Sequence, residues 1–184
     1  MAEEDFKTVY QLAQESKDEE AAEALSKSPE IVNMQCLGDR KRTLLHVACA
    51  NRLEKLFTTI LELDPNLSIP DSMNEFALHK ACFRASPEMV LRLINQDPST
   101  IDHPGFNGAT PLMYACSANR ALSARHLVEA GCKKDSKNAS GGTALHVAAS
   151  NGVLECVQLL LDSDLNVEDN DGDTALDRAI FMQK

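Results

Sequence analysis

Cysteine and histidine are the side chains of this sequence best suited to metal binding or nucleophilic chemistry, and several of each recur at a regular interval. Cys49, Cys82 and Cys116 are separated by 33 and 34 residues. The histidines that follow the same interval are His46, His79 and His146. Thiolate and imidazole groups are zinc ligands and can take part in catalysis beside a suitable partner. Their chemistry therefore depends on whether the surrounding elements bring them together.

Short motifs that mark common catalytic sites are missing from the sequence. There is no glycine-rich loop followed by Lys and Ser or Thr, no His-Glu-x-x-His pair and no Gly-x-Ser-x-Gly. We therefore expect a protein that is not an enzyme and that needs neither a cofactor nor a metal.

The regular interval belongs to whole segments of the chain. Five six-residue segments begin at positions 43, 76, 110, 143 and 174 and read TLLHVA, FALHKA, TPLMYA, TALHVA and TALDRA. Threonine at the first position is a good helix N-cap, and Pro111 suits the first position of a helix. The third and sixth residues, Leu and Ala, share one helix face. Each segment therefore predicts the start of a helix.

These segments resemble the Thr-Pro-Leu-His-x-Ala signature of the ankyrin-repeat family, which recurs every 33 residues or so. The resemblance spans residues 43–179 by motif. It implies an all-α solenoid of stacked helix-turn-helix units, with projecting β-hairpin or loop fingers between them. The single domain 1–184 then divides into an N-terminal capping repeat, four ankyrin repeats and a C-terminal half repeat at 1–42, 43–75, 76–109, 110–142, 143–173 and 174–184.

Further helices are predicted by apolar residues at helical spacing. Such spacing follows each of the first four segments, at residues 53–61, 87–94, 121–128 and 154–161. Two amphipathic stretches, 5–14 and 18–26, come before the first segment and resemble the capping repeat that a solenoid requires.

The repeat assigns a structural role to most of the cysteines and histidines. Equivalent helices of neighbouring units lie about 8–10 Å apart, whereas a disulfide needs Cα atoms about 4.4–6.8 Å apart. We therefore expect the recurrent cysteines to pack as small apolar side chains, and Cys36, in a loop, to be the best candidate for an exposed thiol. The resemblance implies that each motif histidine hydrogen-bonds an adjoining turn. Met113 and Asp177 replace it in two units, which a shared metal site would not tolerate.

Charge and composition restrict the partners. The 184 residues contain 18 basic and 28 acidic side chains, for a net charge of −10. The acidity is concentrated at 1–30 and 162–184, and residues 31–161 are nearly neutral. We therefore expect neither nucleic acid nor an anionic membrane as the main partner. Since the sequence has neither a long apolar segment nor a signal peptide, we expect no membrane insertion and an intracellular, cytoplasmic or nuclear location.

Family members bind partners on a concave face made of fingers and first helices, and this resemblance selects candidate residues by position. The candidates are Arg40, Arg42, Met73, Glu75, Lys80, Phe83, Arg84, Phe106, Asn107, Tyr114, Ser117, Ser150 and Asn151. Phe83 stands out because other units hold Ala or Ser at its position. Exposed aromatic residues beside arginine are typical of binding hot spots. The alternative is that Phe83 packs against its own finger. The basic finger at 38–42 is a second contact candidate, or simply a solvated loop.

The predicted function is that of a non-catalytic protein–protein interaction module, acting as an adaptor, an inhibitor or an assembly chaperone. The alternative is an ankyrin segment of a larger multidomain protein with a structural or targeting role. The partner is another protein, whose identity a shared scaffold does not reveal. We expect a monomer, with weak self-association left open through Leu176, Ile180 and Phe181 at the C-terminal end.

Overall fold

The computed structural model describes residues 2–182, which form short helices joined by turns. The chain begins with α1 (Ala2–Gln14) and α2 (Asp18–Lys27). Four helix pairs and a final helix follow, namely α3 (Leu44–Asn51), α4 (Glu54–Glu62), α5 (Ala77–Arg84), α6 (Pro87–Gln96), α7 (Pro111–Ser117), α8 (Ala121–Glu129), α9 (Ala144–Asn151), α10 (Leu154–Leu159) and α11 (Ala175–Phe181). Within the described range, no helix has both the length and the apolar character needed to cross a membrane.

The helices stack in two layers. The odd-numbered helices contact one another in chain order from α1 to α11, and from α3 onwards each of them begins in a hexapeptide. The second layer lies behind them, with contacts between α2 and α4, between α6 and α8, and between α8 and α10. This arrangement confirms the predicted all-α solenoid. Each unit packs on its neighbours, and the buried apolar side chains form one continuous core that runs along the stack from Phe6 to Ala175.

Small side chains allow the first helices to approach closely. The motif alanines Ala48, Ala81, Ala115 and Ala148 are fully buried between neighbouring helices. The leucine three residues earlier in each of these units is buried on the same face. Close stacking of this kind leaves little room for aromatic side chains, in keeping with the low aromatic content of the chain.

The fingers are mostly loops. The first is a hairpin in which β1 (Gln35–Cys36) pairs antiparallel with β2 (Arg42–Thr43). In later fingers a side-chain oxygen at the start of the turn accepts hydrogen bonds from backbone N–H groups two and four residues ahead; these side chains are Asp71, Asn138 and Asp169. Gly141 has a φ of 76°, and a Cβ atom there would lie 2.5 Å from the Asn170 side chain. Only glycine fits this finger.

Backbone hydrogen bonds join successive fingers into a ribbon. The N–H of Ser72 donates to the carbonyl of Arg40 at 2.7 Å. Equivalent bonds run from Ala139 to Asn107 at 2.8 Å and from Asn170 to Ser140 at 3.0 Å. Between the second and third fingers the link is a side-chain bond, which the Asn74 amide donates to the carbonyl of Pro104 at 2.8 Å. Hydrogen bonds therefore connect each finger to the next.

The N-terminal helix pair is integrated into the solenoid by polar contacts. The Asp18 carboxylate accepts from the backbone N–H groups of Lys55 and Leu56, at 2.9 and 2.7 Å. It thereby caps α4, whose own N-cap residue, Leu53, has no side-chain acceptor. The Asn51 side chain donates to the carbonyl of Ala13 at 3.0 Å. These bonds fix α1 and α2 against the first ankyrin unit.

The C-terminal end presents an apolar surface. Leu176, Ile180 and Phe181 are exposed, and no helix within residues 2–182 covers them. Leu176 also lines a hollow of about 630 Å³, with Leu145 and Val157 in its wall. The predicted exposure of these three side chains is confirmed, and their role in self-association stays a prediction.

Candidate partner-binding face

The motif histidines fasten each unit to the next finger. The Nδ1 atom of His46 accepts from the backbone N–H of Thr43 at 3.2 Å, and its Nε2 lies 2.9 Å from the carbonyl of Glu75. A backbone N–H can only donate and a carbonyl can only accept, so the ring is neutral and carries its proton on Nε2. The same pair of bonds is made by His79 with Phe76 and His103, and by His146 with Thr143 and Asp173. The structural role predicted for these histidines is confirmed.

Burial makes most of the cysteines unreactive. Cys49, Cys82, Cys116, Cys132 and Cys156 are all buried, as expected for small packing residues. Removal from water raises the pKa of the Cys49 and Cys82 thiols well above the ordinary value. The thiolate, which is the reactive form, is therefore scarce at these positions.

Cys36 is the one cysteine that is not buried, and this gives a first prediction. With Ellman's reagent, we expect one of the six thiols of the native protein to react quickly and all six to react in denaturant. The physical reason is access, because the other five thiols become exposed only when units separate. The rapid phase should disappear in Cys36→Ser. Several rapid thiols, or a rapid phase that survives this substitution, would contradict the assignment.

A buried charge cluster occupies the middle of the predicted binding face. The Lys80 ammonium lies 3.3 Å from the Asp71 carboxylate and also contacts that of Glu75. The Tyr114 hydroxyl donates to the second oxygen of Glu75. The sequence selected Glu75 as a contact residue for a partner. The structure corrects this expectation, because Glu75 is only 2% exposed. Glu75 instead neutralises Lys80 and orients Tyr114.

Asp71 is the member of this cluster that the sequence analysis missed. Burial raises the pKa of this carboxyl, but N–H groups of Glu75 and Met73 and the charge of Lys80 outweigh it and lower the pKa overall. The sequence did offer a signal for Asp71, because it is an aspartate at the start of a finger turn. In such a turn one carboxylate oxygen accepts hydrogen bonds from the backbone, and the second oxygen is free to pair with a cation. Burial and the hydrogen bond to Glu75 raise the pKa of Tyr114, so its hydroxyl stays protonated and donates.

An exposed aromatic pair lies beside this cluster. The Phe83 ring packs edge-on against the Tyr114 ring, with centroids 6.2 Å apart and planes at 84°. Tyr114 in turn packs edge-on against His79, at 5.4 Å. Phe83 remains 42% exposed. It lies near the C-terminal end of α5, away from the finger that precedes this helix. Its contact is thus with the next unit, which argues against packing on its own finger.

The groove beside Phe83 runs along the ends of the first helices. Its volume is about 520 Å³, and residues from four successive units form its wall: Ser16, Ala50, Asn51, Arg52, Phe83, Arg84, Ala118 and Arg120. We call it the helix-end groove. Arg52 and Arg120 were not selected from the sequence, because they lie just beyond the last positions compared between units, which are Asn51 and Ala118 in their own units.

The remaining candidates divide between two ends of the face. Arg40, Arg42, Met73, Phe106 and Asn107 lie in the fingers, where the Arg40 guanidinium is 3.3 Å from the sulfur of Met73 and 3.6 Å separates Arg42 from Asp39. Fingers join the N-terminal ends of the first helices, and eight residues of helix span about 12 Å. The other set lies towards the C-terminal ends of these helices and comprises Phe83, Arg84, Ser117, Ser150 and Asn151. The structure therefore separates a finger-tip patch from the helix-end groove.

Stacked helix pairs with a row of fingers along one side define an α-solenoid repeat protein. The family model described as ankyrin repeats (3 copies) matches residues 55–138 and 123–184. The chain belongs to the ankyrin-repeat family, and ankyrin repeats are protein-interaction modules.

Similar proteins are much longer than this chain. A tyrosine-protein kinase of Hydra vulgaris is 35% identical over 151 residues, which is 75% of this chain and 19% of the kinase. An E3 ubiquitin-protein ligase of Arabidopsis thaliana is 30% identical over 118 residues, or 62% of this chain and 7% of the ligase. The SH3 and multiple ankyrin repeat domains protein 2 of Homo sapiens is 28% identical over 119 residues, covering 65% of this chain and 6% of that protein. In each case the chain spans a small part of the relative.

Proposed function

We propose that this chain is a non-catalytic interaction module that holds a partner protein on its concave face, with Phe83 as the anchor. The observation that carries the proposal is the exposed Phe83 ring, supported from below by Tyr114. Other units place Ala50, Ser117 and Ser150 at this position. Packing of the solenoid thus has no need for an aromatic side chain there.

The surroundings of Phe83 have the composition of an interface centre. Aromatic side chains and arginine are enriched in binding hot spots, and Arg84 is the next residue along the chain. Tyr114 and the charge cluster below it are held by several hydrogen bonds, so the anchor sits on a preorganised support. Little ordering is then needed on binding.

An adaptor, an inhibitor and an assembly chaperone would all bind the partner on this concave face. The three roles differ in what happens to the partner once it is bound. The alternative, a segment of a larger multidomain protein, is supported by the long relatives that the chain matches. A denaturing gel of the native protein separates the two, since a protein consisting of this chain alone has a mass of 20.1 kDa.

Quantitative capture from native extract tests the proposal. Phe83→Ala is expected to reduce recovery of the specific partner at least tenfold, about 1.4 kcal/mol, since truncating a hot-spot aromatic costs this much or more. Leu122→Ala is the matched control, because Leu122 is 60% exposed on the second-layer helix α8. Circular dichroism should show both variants folded. Equal recovery with wild type and Phe83→Ala would contradict the proposal.

A further inference from the structure

Three arginines line the helix-end groove. Arg84 ends α5, and Arg52 and Arg120 lie in the turns that follow α3 and α7. These turns belong to successive units, so the three side chains form a row along the solenoid. All three lie within residues 31–161, which are nearly neutral as a whole, so the row is a local concentration of positive charge.

The positive charge of the row is not neutralised within the protein. In the part of the chain that the structure describes, no carboxylate lies within 4.0 Å of Arg52, Arg84 or Arg120. The Nε atom of Arg52 donates to the carbonyl of Arg84 at 2.5 Å, which orients its guanidinium. The Nε atom of Arg120 is buried and has no hydrogen-bond partner among residues 2–182. A buried donor without an acceptor is costly.

The backbone at Arg52 adds an independent observation. Its φ is 60°, in the left-handed region, and the fourth ankyrin unit has Gly152 with a φ of 67° at the same position. A residue other than glycine costs about 1 kcal/mol in this conformation. Helix C-termini attract cations, but a lysine or arginine within the last turn would do so without this cost. The hydrogen bond to Arg84 uses only Nε of Arg52, and the terminal guanidinium nitrogens make no hydrogen bond among residues 2–182.

We propose that the helix-end groove binds an extended acidic segment of the partner protein, whose carboxylates pair with Arg52, Arg84 and Arg120. This inference rests on the proposed function, because Phe83 lines the same groove. Neighbouring first helices lie about 8–10 Å apart, and a chain in the extended polyproline II conformation has three residues per turn and advances about 3.1 Å per residue, so every third side chain lies on the same face. Acidic residues three positions apart therefore match arginines one unit apart. A single phosphate fits this row less well than an acidic segment, because one phosphate binds guanidinium groups that converge on one point and these three belong to successive units.

A peptide titration followed by NMR tests the proposal. The probe carries glutamate at its first, fourth and seventh positions with serine between, and its matched control carries glutamine instead. The glutamate peptide is expected to shift the Nε–H signals of the three arginines and to bind more weakly as salt is added. Arg84→Gln and Arg120→Gln should each weaken binding about three- to tenfold, as for a charged interface pair. Arg125→Gln, on α8, is the control and should leave affinity unchanged.

Arg52→Gly separates a binding role from a structural one. Because glycine is the residue best suited to a φ of 60°, this variant should keep or raise the melting temperature while weakening peptide binding. A glutamate peptide that binds no better than its glutamine counterpart, or an affinity that the three arginine substitutions leave unchanged, would overturn the proposal. If Phe83→Ala still loses its partner in that case, the proposed function stands and only this inference falls.

Discussion

Replacing Lys80 by methionine is expected to destabilise the protein by about 3 to 5 kcal/mol, as when one partner is removed from a buried ion pair. The substitution would leave Asp71 and Glu75 buried without their cation. Methionine keeps the length of the side chain and a high helix propensity, so α5 itself should not be disturbed. Urea unfolding followed by circular dichroism measures the change. The Phe83–Tyr114 pair would lose its support as well, because Glu75 orients Tyr114.

Arg178→Met is the matched control for Lys80→Met. Arg178 holds the equivalent position in the last unit and pairs with Asp169, Asp171 and Asp173. The side chain of Asp169 is only 4% exposed, but those of Arg178, Asp173 and Asp171 are 25%, 41% and 74% exposed, so water can replace much of what Arg178 supplies. We expect this variant to lose about 1 kcal/mol, the upper end for surface pairs. Equal losses of unfolding free energy in the two variants would show that burial of the Lys80 cluster does not increase its contribution to stability.

Acidification from neutral pH to pH 4 is expected to cost about 3 kcal/mol of unfolding free energy through His79 alone. Burial lowers the pKa of His79 from 6.5 to about 4. In the unfolded chain the imidazole takes up its proton near the ordinary value, whereas the folded protein resists until about pH 4. The unfolded state therefore binds more protons across this window, and stability falls as the pH falls through it. Below the window, protonation of Asp71, whose pKa is lowered, removes further stability.

His79→Gln tests the assignment of this pH dependence. A glutamine can accept from the N–H of Phe76 and donate to the carbonyl of His103, but it does not titrate. The variant is less stable at neutral pH, and the slope of stability against pH between 6.5 and 4 should be shallower than in wild type. Identical slopes in urea titrations of the two proteins would assign the effect to other groups.

The parts of the fold that could be predicted are those that each unit determines locally. Thr43 caps the start of α3 as expected, and His46 reaches the next finger as the family resemblance implied. Ala48 is buried where close helix packing was expected. These outcomes follow from the spacing of residues within one unit or between adjacent units. Because the sequence repeats, the same spacings recur along the chain and could be read from it.

The binding face was harder to predict because its side chains interact across units. Glu75 belongs to a finger, and its partner Tyr114 is 39 residues further along. Both residues occupy positions that vary from unit to unit, so their hydrogen bond leaves no repeating pattern in the sequence. Position alone therefore assigned Glu75 and Tyr114 to the partner-binding face. Arg52 and Arg120 fall in the turns after α3 and α7, where α7 is one residue shorter than α3 and the alignment shifts. Their convergence on one groove depends on where these helices end.

Photo-cross-linking at position 83 tests the central claim most directly. A benzoylphenylalanine in place of Phe83 should cross-link the partner protein in native extract, because the exposed ring lies at the centre of the proposed contact. The same photoreactive residue in place of Leu122, on α8, should not. A specific adduct at position 83 and none at position 122 is the predicted result. Adducts at position 122 with none at position 83 would show that the partner binds a different surface.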